Sequence, residues 1–376
     1  MNFGFDEEQK SLGDTIAQML GDFPSLTAPD PAEARDPSVW AALAELGLFS
    51  LLVPETDGGV GLSLVDIALA VEALGAGLAP PSVASTLVAT DLVVRFGTPA
   101  QKESWLAKIA AGSARIALAI QEAGVGYDPA AITTVVGGNG VTGRKILVAD
   151  GADADMFLVL ALVDGKPGLV IVDHNAGGVA LRPHQDIDPS NGHCELILEA
   201  APLADIAIIG HKDAARAVAR LMDVGATFNA GMMMGIAARM LDTAVDYAKT
   251  RVQFGQPIGA FQSIKHRCAD MAVAIEAGRS AVYYAFWAAA EDAPDRPRAS
   301  SMAKAYCGDV ARQVCNEAIQ IHGGMGFTWE LGLHRFLRRN KVLEHGFGSQ
   351  TWHYERVISD TLSARTATIE QRRDAA

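Results

Sequence analysis

The sequence predicts an α+β fold made of three successive regions: an N-terminal helical domain (residues 1–115), a middle antiparallel β-domain (residues 116–212) and a C-terminal helix bundle (residues 213–376). Two observations predict this order. Apolar residues recur with helical spacing at both ends of the chain, whereas the middle contains short runs rich in Val and Ile that are separated by turn sequences. With 376 residues and 49% hydrophobic content, the chain can bury a large core.

The N-terminal region contains three segments that each carry one apolar stripe, at residues 6–20, 39–48 and 64–74. A glycine-rich sequence, Pro-Glu-Thr-Asp-Gly-Gly-Val-Gly, occupies residues 54–61. No clear strand precedes it, as a phosphate-binding loop would require, so we interpret it as a turn between helices.

The middle region has strand-like runs at residues 115–120, 131–136, 157–163 and 169–172. Glycine-containing turns separate them, which predicts strands that reverse direction. The helical segments that follow are long and strongly amphipathic, so we expect them to form the bundle and the oligomer interface.

Charge and hydropathy limit the partners. Lys plus Arg number 31 and Asp plus Glu 44, which gives a net charge of −13. This field repels nucleic acid, so an anionic cofactor needs a local basic cluster. No basic leader is followed by an apolar run, and no apolar run reaches about 18 residues. We therefore expect a cytoplasmic protein with no membrane span and no nucleic-acid partner.

The cysteines do not have the paired spacing of a metal site. We expect no metal, and four buried thiols in a reducing compartment, at Cys194, Cys268, Cys307 and Cys315.

A loop that follows residue 250 carries the first candidate site. Gly255, Pro257 and Gly259 interrupt two amphipathic helices there. Arg251 offers a cation, and an amide and an aromatic ring follow at Gln253 and Phe254, a set suited to a phosphate beside a ring. The alternative is an ordinary surface corner between two helices.

Two sequence motifs in the C-terminal region favour the binding site over the surface corner. Arg-x-Gln-Phe-Gly-x-Pro-Ile-x-x-Phe-Gln-x-x-Lys begins at Arg251, and Gln-Ile-His-Gly-Gly-Met-Gly-Phe begins at Gln320. Both closely resemble motifs of the acyl-CoA dehydrogenase family of flavoproteins, and the resemblance extends over nearly the whole chain. It implies a C-terminal four-helix bundle, FAD, an acyl-CoA substrate and an oligomer built as a dimer of dimers.

The chain departs from the family where the flavin is held. In the segment that resembles the family's Thr-Glu-Pro-x-Ala-Gly-Ser-Asp, Gln121 and Tyr127 replace the Thr and the Ser, whereas the segment keeps Glu122, Gly126 and Asp128. A tyrosine ring tends to fill the space that a phosphate would occupy.

A second departure lies in the segment that resembles the family's Lys-x-Trp-Ile-Thr-Asn. Leu147 replaces the Trp that packs beside the flavin, and Ala149 replaces the Thr that faces the reactive edge of the flavin. Both changes weaken the binding of a flavin by this chain's own β-domain.

The third departure concerns the catalytic base. The resemblance places Phe347 at the position of the family's glutamate. A few family members carry the base in the preceding helix, where this chain has Ala230, Gly231 and Met232. The nearest substitutes are Glu344 and His345. Glu344 is a weak candidate, because it can instead balance the charges of Arg338, Arg339 and Lys341.

In the resembling family, each flavin lies at a dimer interface and is completed by residues of the neighbouring chain. This sequence keeps the residues that reach across the interface, here called the reaching set: Arg251, Gln253, Phe254, Gln320, Gly323 and Gly324. We therefore expect a subunit without its own base that completes the flavin site of a homologous chain, as in mixed tetramers that degrade sterol side chains. The alternative is a self-sufficient homo-oligomeric dehydrogenase with a displaced base such as Glu344.

The resemblance also places the acyl pocket beside Met232, Met233 and Met234 and the loop near Phe347. We expect at least one of the three methionines to be a helix-core residue.

Overall fold

A computed structural model describes residues 4–28, 30 and 35–374, with side chains as far as residue 362. The N-terminal region is helical, as predicted. Its helices are α1 (Glu7–Gly21), α2 (Ser38–Glu45), α3 (Ala68–Ala76), α4 (Pro81–Phe96) and α5 (Pro99–Ala110).

Local chemistry sets several of these helix ends. Asp6 accepts a hydrogen bond from the backbone N–H of Gln9, whose side chain accepts one from the backbone of Asp6, and Thr98 and Gln101 repeat this pattern at α5. The prediction for residues 64–74 began too early, because residues 64–67 form a turn before α3. The separate helix α4 was not predicted.

The middle region forms one eight-stranded sheet. Its strands are β1 (Ile116–Ala119), β2 (Val135–Gly137), β3 (Gly140–Val148), β4 (Met156–Val163), β5 (Lys166–Asp173), β6 (Val179–Pro183), β7 (Cys194–Ala201) and β8 (Ile208–Ile209). The strand order is β6-β7-β3-β2-β4-β5-β8, and β1 also pairs with β4.

Most neighbouring strands are antiparallel, as predicted, but β1 and β2 both pair with β4 in parallel. The hairpin of β2 and β3 explains the pairing of β2 with β4. Because β3 reverses the direction of β2, the chain enters β4 in the direction of β2 again. The prediction of a purely antiparallel sheet therefore needs this correction.

The C-terminal region is helical again, which confirms the three-region order. It contains α6 (Ala214–Thr250), the short strands β9 (Val252–Gln253) and β10 (Gln256–Pro257), and then α7 (Gln262–Ala290), α8 (Arg296–His322), α9 (Leu333–His345) and α10 (Gln350–Asp374). Helix α8 packs against α6, α7, α9 and α10. Among the described residues, no helix combines the length and the apolar character that crossing a membrane requires.

The N-terminal and C-terminal helices touch backbone to backbone where α3 crosses α6. A Cβ atom at Gly235 would lie 1.8 Å from the carbonyl oxygen of Glu72, and one at Gly75 would lie 2.0 Å from that of Met232. Only glycine allows this approach. The crossing fixes the N-terminal helices against α6, which forms one wall of the cavity described below.

The cysteines are free thiols. Three are buried as expected, whereas Cys268 is only half-buried on α7.

Candidate functional site

A cavity of about 530 Å³ lies between α4, the β-domain, α6 and the segment that follows α9. Most of the lining side chains are apolar, among them Ala84, Val88, Leu118, Phe228, Met232 and Phe347. Of the three consecutive methionines, only Met232 lines the cavity. Met233 and Met234 are fully buried in the helix core, because each step along a helix turns the side chain by about 100°.

The segment 343–348 carries Phe347 into the cavity wall. Lys304 donates hydrogen bonds to the carbonyl oxygens of residues 344 and 348, at 2.7 and 3.1 Å. Asn229 donates to those of residues 343 and 346, at 3.0 and 3.4 Å. Phe347 itself has a left-handed backbone, with φ of +59°. Such a conformation persists in a non-glycine residue where its surroundings hold it, so these bonds determine where residue 347 points.

The ring of Phe347 packs against α6 at Gly225. A Cβ atom at position 225 would lie 2.2 Å from ring atom Cε1, so the missing side chain makes room for the ring. Phe347, which the sequence predicts to lie at the position of the family's glutamate, therefore faces the cavity with a group that cannot accept a proton.

Glu344 faces a different direction. Its buried carboxylate accepts hydrogen bonds from Arg312, at 2.5 Å, and from Lys341, at 2.9 Å. It is not among the residues that line the cavity. The charge-balancing interpretation holds for Lys341, but the second partner is Arg312. Of the other two expected partners, Arg339 binds Asp188 and Arg338 lies over the ring of Trp329. His345 is exposed and lines the cavity.

The β-domain wall of the cavity carries the four residues that the sequence predicts to depart from the family's flavin-binding segments. Gln121, Tyr127, Leu147 and Ala149 all line it. Leu147 lies at an irregularity of β3, has a φ of +54° and is 43% exposed. It therefore supplies no flat aromatic wall.

The space beside Tyr127 is small. A second cavity between Phe347 and residues 126–128 has a volume of about 30 Å³. That volume suits one or two water molecules. The second cavity is therefore too small for a group the size of a pyrophosphate.

Glu122 is a structural residue of the β-domain rather than a flavin ligand. Its buried carboxylate accepts hydrogen bonds from the backbone and hydroxyl groups of Thr133 and Thr134 and from Lys145, at 2.7 to 3.0 Å. Burial alone would raise the pKa of Glu122, but these donors outweigh it and lower the pKa to about 2.

We expect Glu122→Gln to lower the free energy of unfolding by roughly 3 kcal/mol at neutral pH. Because the folded pKa lies below the usual value of 4.5, the carboxylate's contribution is present above pH 4.5 and is lost as the pH falls towards about 2. Burial also lowers the pKa of Lys145, despite its pairing with Glu122.

Urea unfolding of both proteins across this pH range measures the effect. The difference between them should shrink as the pH falls, and a difference that does not change with pH would contradict the assignment.

The reaching residues are on the outer surface. β9 and β10 form a two-residue hairpin whose tip, Phe254 and Gly255, has φ values of +52° and +79°. The Phe254 side chain is 93% exposed. Arg251 is exposed and makes no ion pair within the described part of the chain.

The second part of the reaching set lies at the end of α8. Gln320, Gly323 and Gly324 are exposed. Cβ atoms added at the two glycines would meet nothing within 4 Å, so the backbone is open to an approaching group. The six reaching residues are absent from the lining of this chain's own cavity.

Sequence reasoning missed two parts of the cavity wall. One is α4, whose apolar spacing resembles that of any core helix. The other is the loop between β6 and β7, where Asp186 and His193 line the cavity. These two residues are seven apart in an irregular segment, so no periodic pattern connects them. The one sequence feature that could have identified them is that both are polar residues in the same loop.

Comparison with known proteins agrees with this architecture. Residues 6–113 match the family model "Acyl-CoA dehydrogenase, N-terminal domain", and residues 215–361 match "Acyl-CoA dehydrogenase, C-terminal domain". The probable acyl-CoA dehydrogenase YngJ of Bacillus subtilis is 30% identical over 371 residues, which cover 93% of this chain and 96% of that protein. Acyl-CoA dehydrogenase FadE34 of Mycobacterium tuberculosis is 36% identical over 82% of this chain, which corresponds to 39% of that longer protein.

Solved structures agree as well. Butyryl-CoA dehydrogenase from Megasphaera elsdenii is 27% identical with a TM-score of 0.88, covering 96% of this chain and 100% of that one. A steroid ACAD described as Tcur3481-Tcur3483 is 29% identical with a TM-score of 0.85, covering 96% and 99%. An acyl-CoA dehydrogenase from Bacillus anthracis that is 26% identical, with a TM-score of 0.87, was solved with FAD, and the match covers 96% of this chain and 68% of that one. The chain therefore belongs to the acyl-CoA dehydrogenase family.

Proposed function

We propose that this chain is a subunit of an acyl-CoA dehydrogenase assembly that has no catalytic base of its own and completes the flavin site of a homologous partner. The observation that carries the proposal is the position of Phe347. Removing the α-proton of an acyl thioester requires a base over the substrate while hydride passes to the flavin. Residue 347 is aimed at the cavity by four hydrogen bonds to its segment, yet it is a phenylalanine.

The direction of the reaching set supports the second half of the proposal. Arg251 is exposed and unpaired among the described residues, and Phe254 leaves its ring in solvent. A guanidinium paired with phosphate and an aromatic ring against a partner are usual features of a binding interface. These groups are suited to a flavin held by another chain.

The β-domain of this chain supports the same division of labour. Tyr127 narrows the space that we assign to the pyrophosphate. Leu147 offers no aromatic ring to pack beside a flavin, and Ala149 offers no hydroxyl. We infer that FAD in the assembly is held by the partner's β-domain and that this chain contributes Arg251, Gln253, Phe254, Gln320, Gly323 and Gly324 to it.

The partner is a second chain of the same family, in an assembly of the dimer-of-dimers type. A relative solved as a steroid ACAD, Tcur3481-Tcur3483, carries two chain names in its description. The substrate class that follows is an acyl-CoA thioester from lipid or sterol breakdown. The placement of Glu344 counts against the self-sufficient alternative, because that carboxylate is engaged by Arg312 and Lys341 outside the cavity.

The visible absorption spectrum tests the proposal. We expect the chain purified alone to be colourless. The tagged chain purified from its own cells should bring a homologous chain with it, and that complex should be yellow with one flavin for each pair of unlike chains. One flavin bound per copy of this chain in the homo-oligomer would overturn the proposal.

A further inference from the structure

The loop that joins β6 to β7 gives the cavity a polar corner. Asp186 and His193 both line the cavity, whose other walls are mainly apolar. The two side chains are largely buried, with 13% and 5% of their surfaces exposed. Nδ1 of His193 and Oδ2 of Asp186 form a close hydrogen bond.

This pair leaves hydrogen-bonding capacity unused. Oδ1 of Asp186 is buried without a partner among the described residues. Nε2 of His193 also makes no hydrogen bond in that part of the chain. Burying polar atoms without partners is costly, so a wall meant only for hydrocarbon would be more stable with apolar side chains here.

The carboxylate decides which imidazole nitrogen carries the proton. An ionised carboxylate only accepts hydrogen bonds, so it holds the neutral imidazole with its proton on Nδ1. Nε2 of this neutral imidazole then carries a lone pair that can accept a hydrogen bond. Two charged groups of this wall are engaged elsewhere: Arg339 with Asp188 and Lys341 with Glu344.

We propose that Asp186 and His193 form a recognition site for a hydroxyl group on the acyl part of a thioester bound in this cavity. The ligand class is a hydroxylated acyl-CoA, whose hydroxyl donates a hydrogen bond to Nε2 of His193. The position of this pair does not depend on which chain holds the flavin. Hydroxyl recognition can therefore be disproved while the proposed completion of the partner's flavin site remains valid, and the proposed completion can be disproved while hydroxyl recognition remains valid.

Calorimetric titration of the purified chain tests this. The probes are saturated acyl-CoA thioesters of increasing acyl length, each compared with its (ω−1)-hydroxy and (ω−1)-keto derivatives. At the length that brings the substituent to the pair, we expect the hydroxy compound to bind about tenfold more tightly than the parent. The keto compound, which cannot donate a hydrogen bond, should gain nothing.

Two variants identify the residues responsible. His193→Phe should abolish the hydroxyl preference, whereas His345→Phe, at another histidine of the cavity wall, should keep it. Asp186→Asn keeps the size of the side chain, but its amide can donate to Nδ1. Because that amide can donate as well as accept, the ring proton is no longer fixed on Nδ1, and the preference for the hydroxy over the keto compound should fall.

The outcomes are distinct. Equal binding of hydroxy and parent compounds, or no binding of any probe, overturns the proposal. A pair that only ties the loop together would lower the stability of His193→Phe without changing ligand preference, and that result overturns it too.

Discussion

Supplied with FAD, an acyl-CoA and an electron-accepting dye, the isolated chain is expected to show at most slight dehydrogenation. Loss of a positioned general base costs about 10²- to 10⁴-fold in rate. Phe347 stands where the base is needed, and the carboxylate three residues before it is engaged by Arg312 and Lys341. A relative that keeps the glutamate, assayed under the same conditions, provides the reference rate.

Phe347→Glu alone is not expected to restore this activity. The introduced carboxylate would occupy a site shaped for a ring, against Gly225. Leu147 and Ala149 would still leave the flavin without its aromatic wall and its hydroxyl partner. Phe347→Leu serves as the matched control, because it changes the size of the side chain without adding a base. A rate in the unmodified homo-oligomer close to that of the reference enzyme would exclude our assignment.

The parts of this site that the sequence predicted are those fixed by local chemistry. Gly255, Pro257 and Gly259 interrupt the helical pattern, so the sequence predicted the loop between α6 and α7, but not the two-residue turn within it. The three-region order follows from periodicity in the same way. In both cases, residues close together in the chain determine the result.

The parts that the sequence did not predict depend on packing between distant elements. Glu344 turns away from the cavity because Arg312, on α8, lies within reach of its carboxylate. No local pattern distinguishes Met232 from the two methionines after it, since the neighbouring helices decide which side faces the cavity. The pair of Asp186 and His193 forms only when the irregular loop folds back on itself.

Arg251→Ala is expected to lower the affinity of the mixed complex for FAD by roughly tenfold to 150-fold. The change removes the cation that we assign to the partner's pyrophosphate, and a hydrogen bond to a charged group is worth about 1.5 to 3 kcal/mol. The fold of the chain should survive. The backbone of Arg251 is held by its own hydrogen bonds to Tyr247 and Ile258, both 2.8 Å, which alanine keeps.

Flavin content per assembly, measured after gel filtration of each variant co-expressed with the co-purifying chain, gives the result. Arg239→Ala is the matched control, because Arg239 is another exposed arginine, in the C-terminal half of α6. Tyr127→Ser and Ala149→Thr should leave the flavin content almost unchanged, since both positions face this chain's own cavity. If these two changes alter the flavin content as much as Arg251→Ala does, the flavin lies against this β-domain and the division of labour between the chains is wrong.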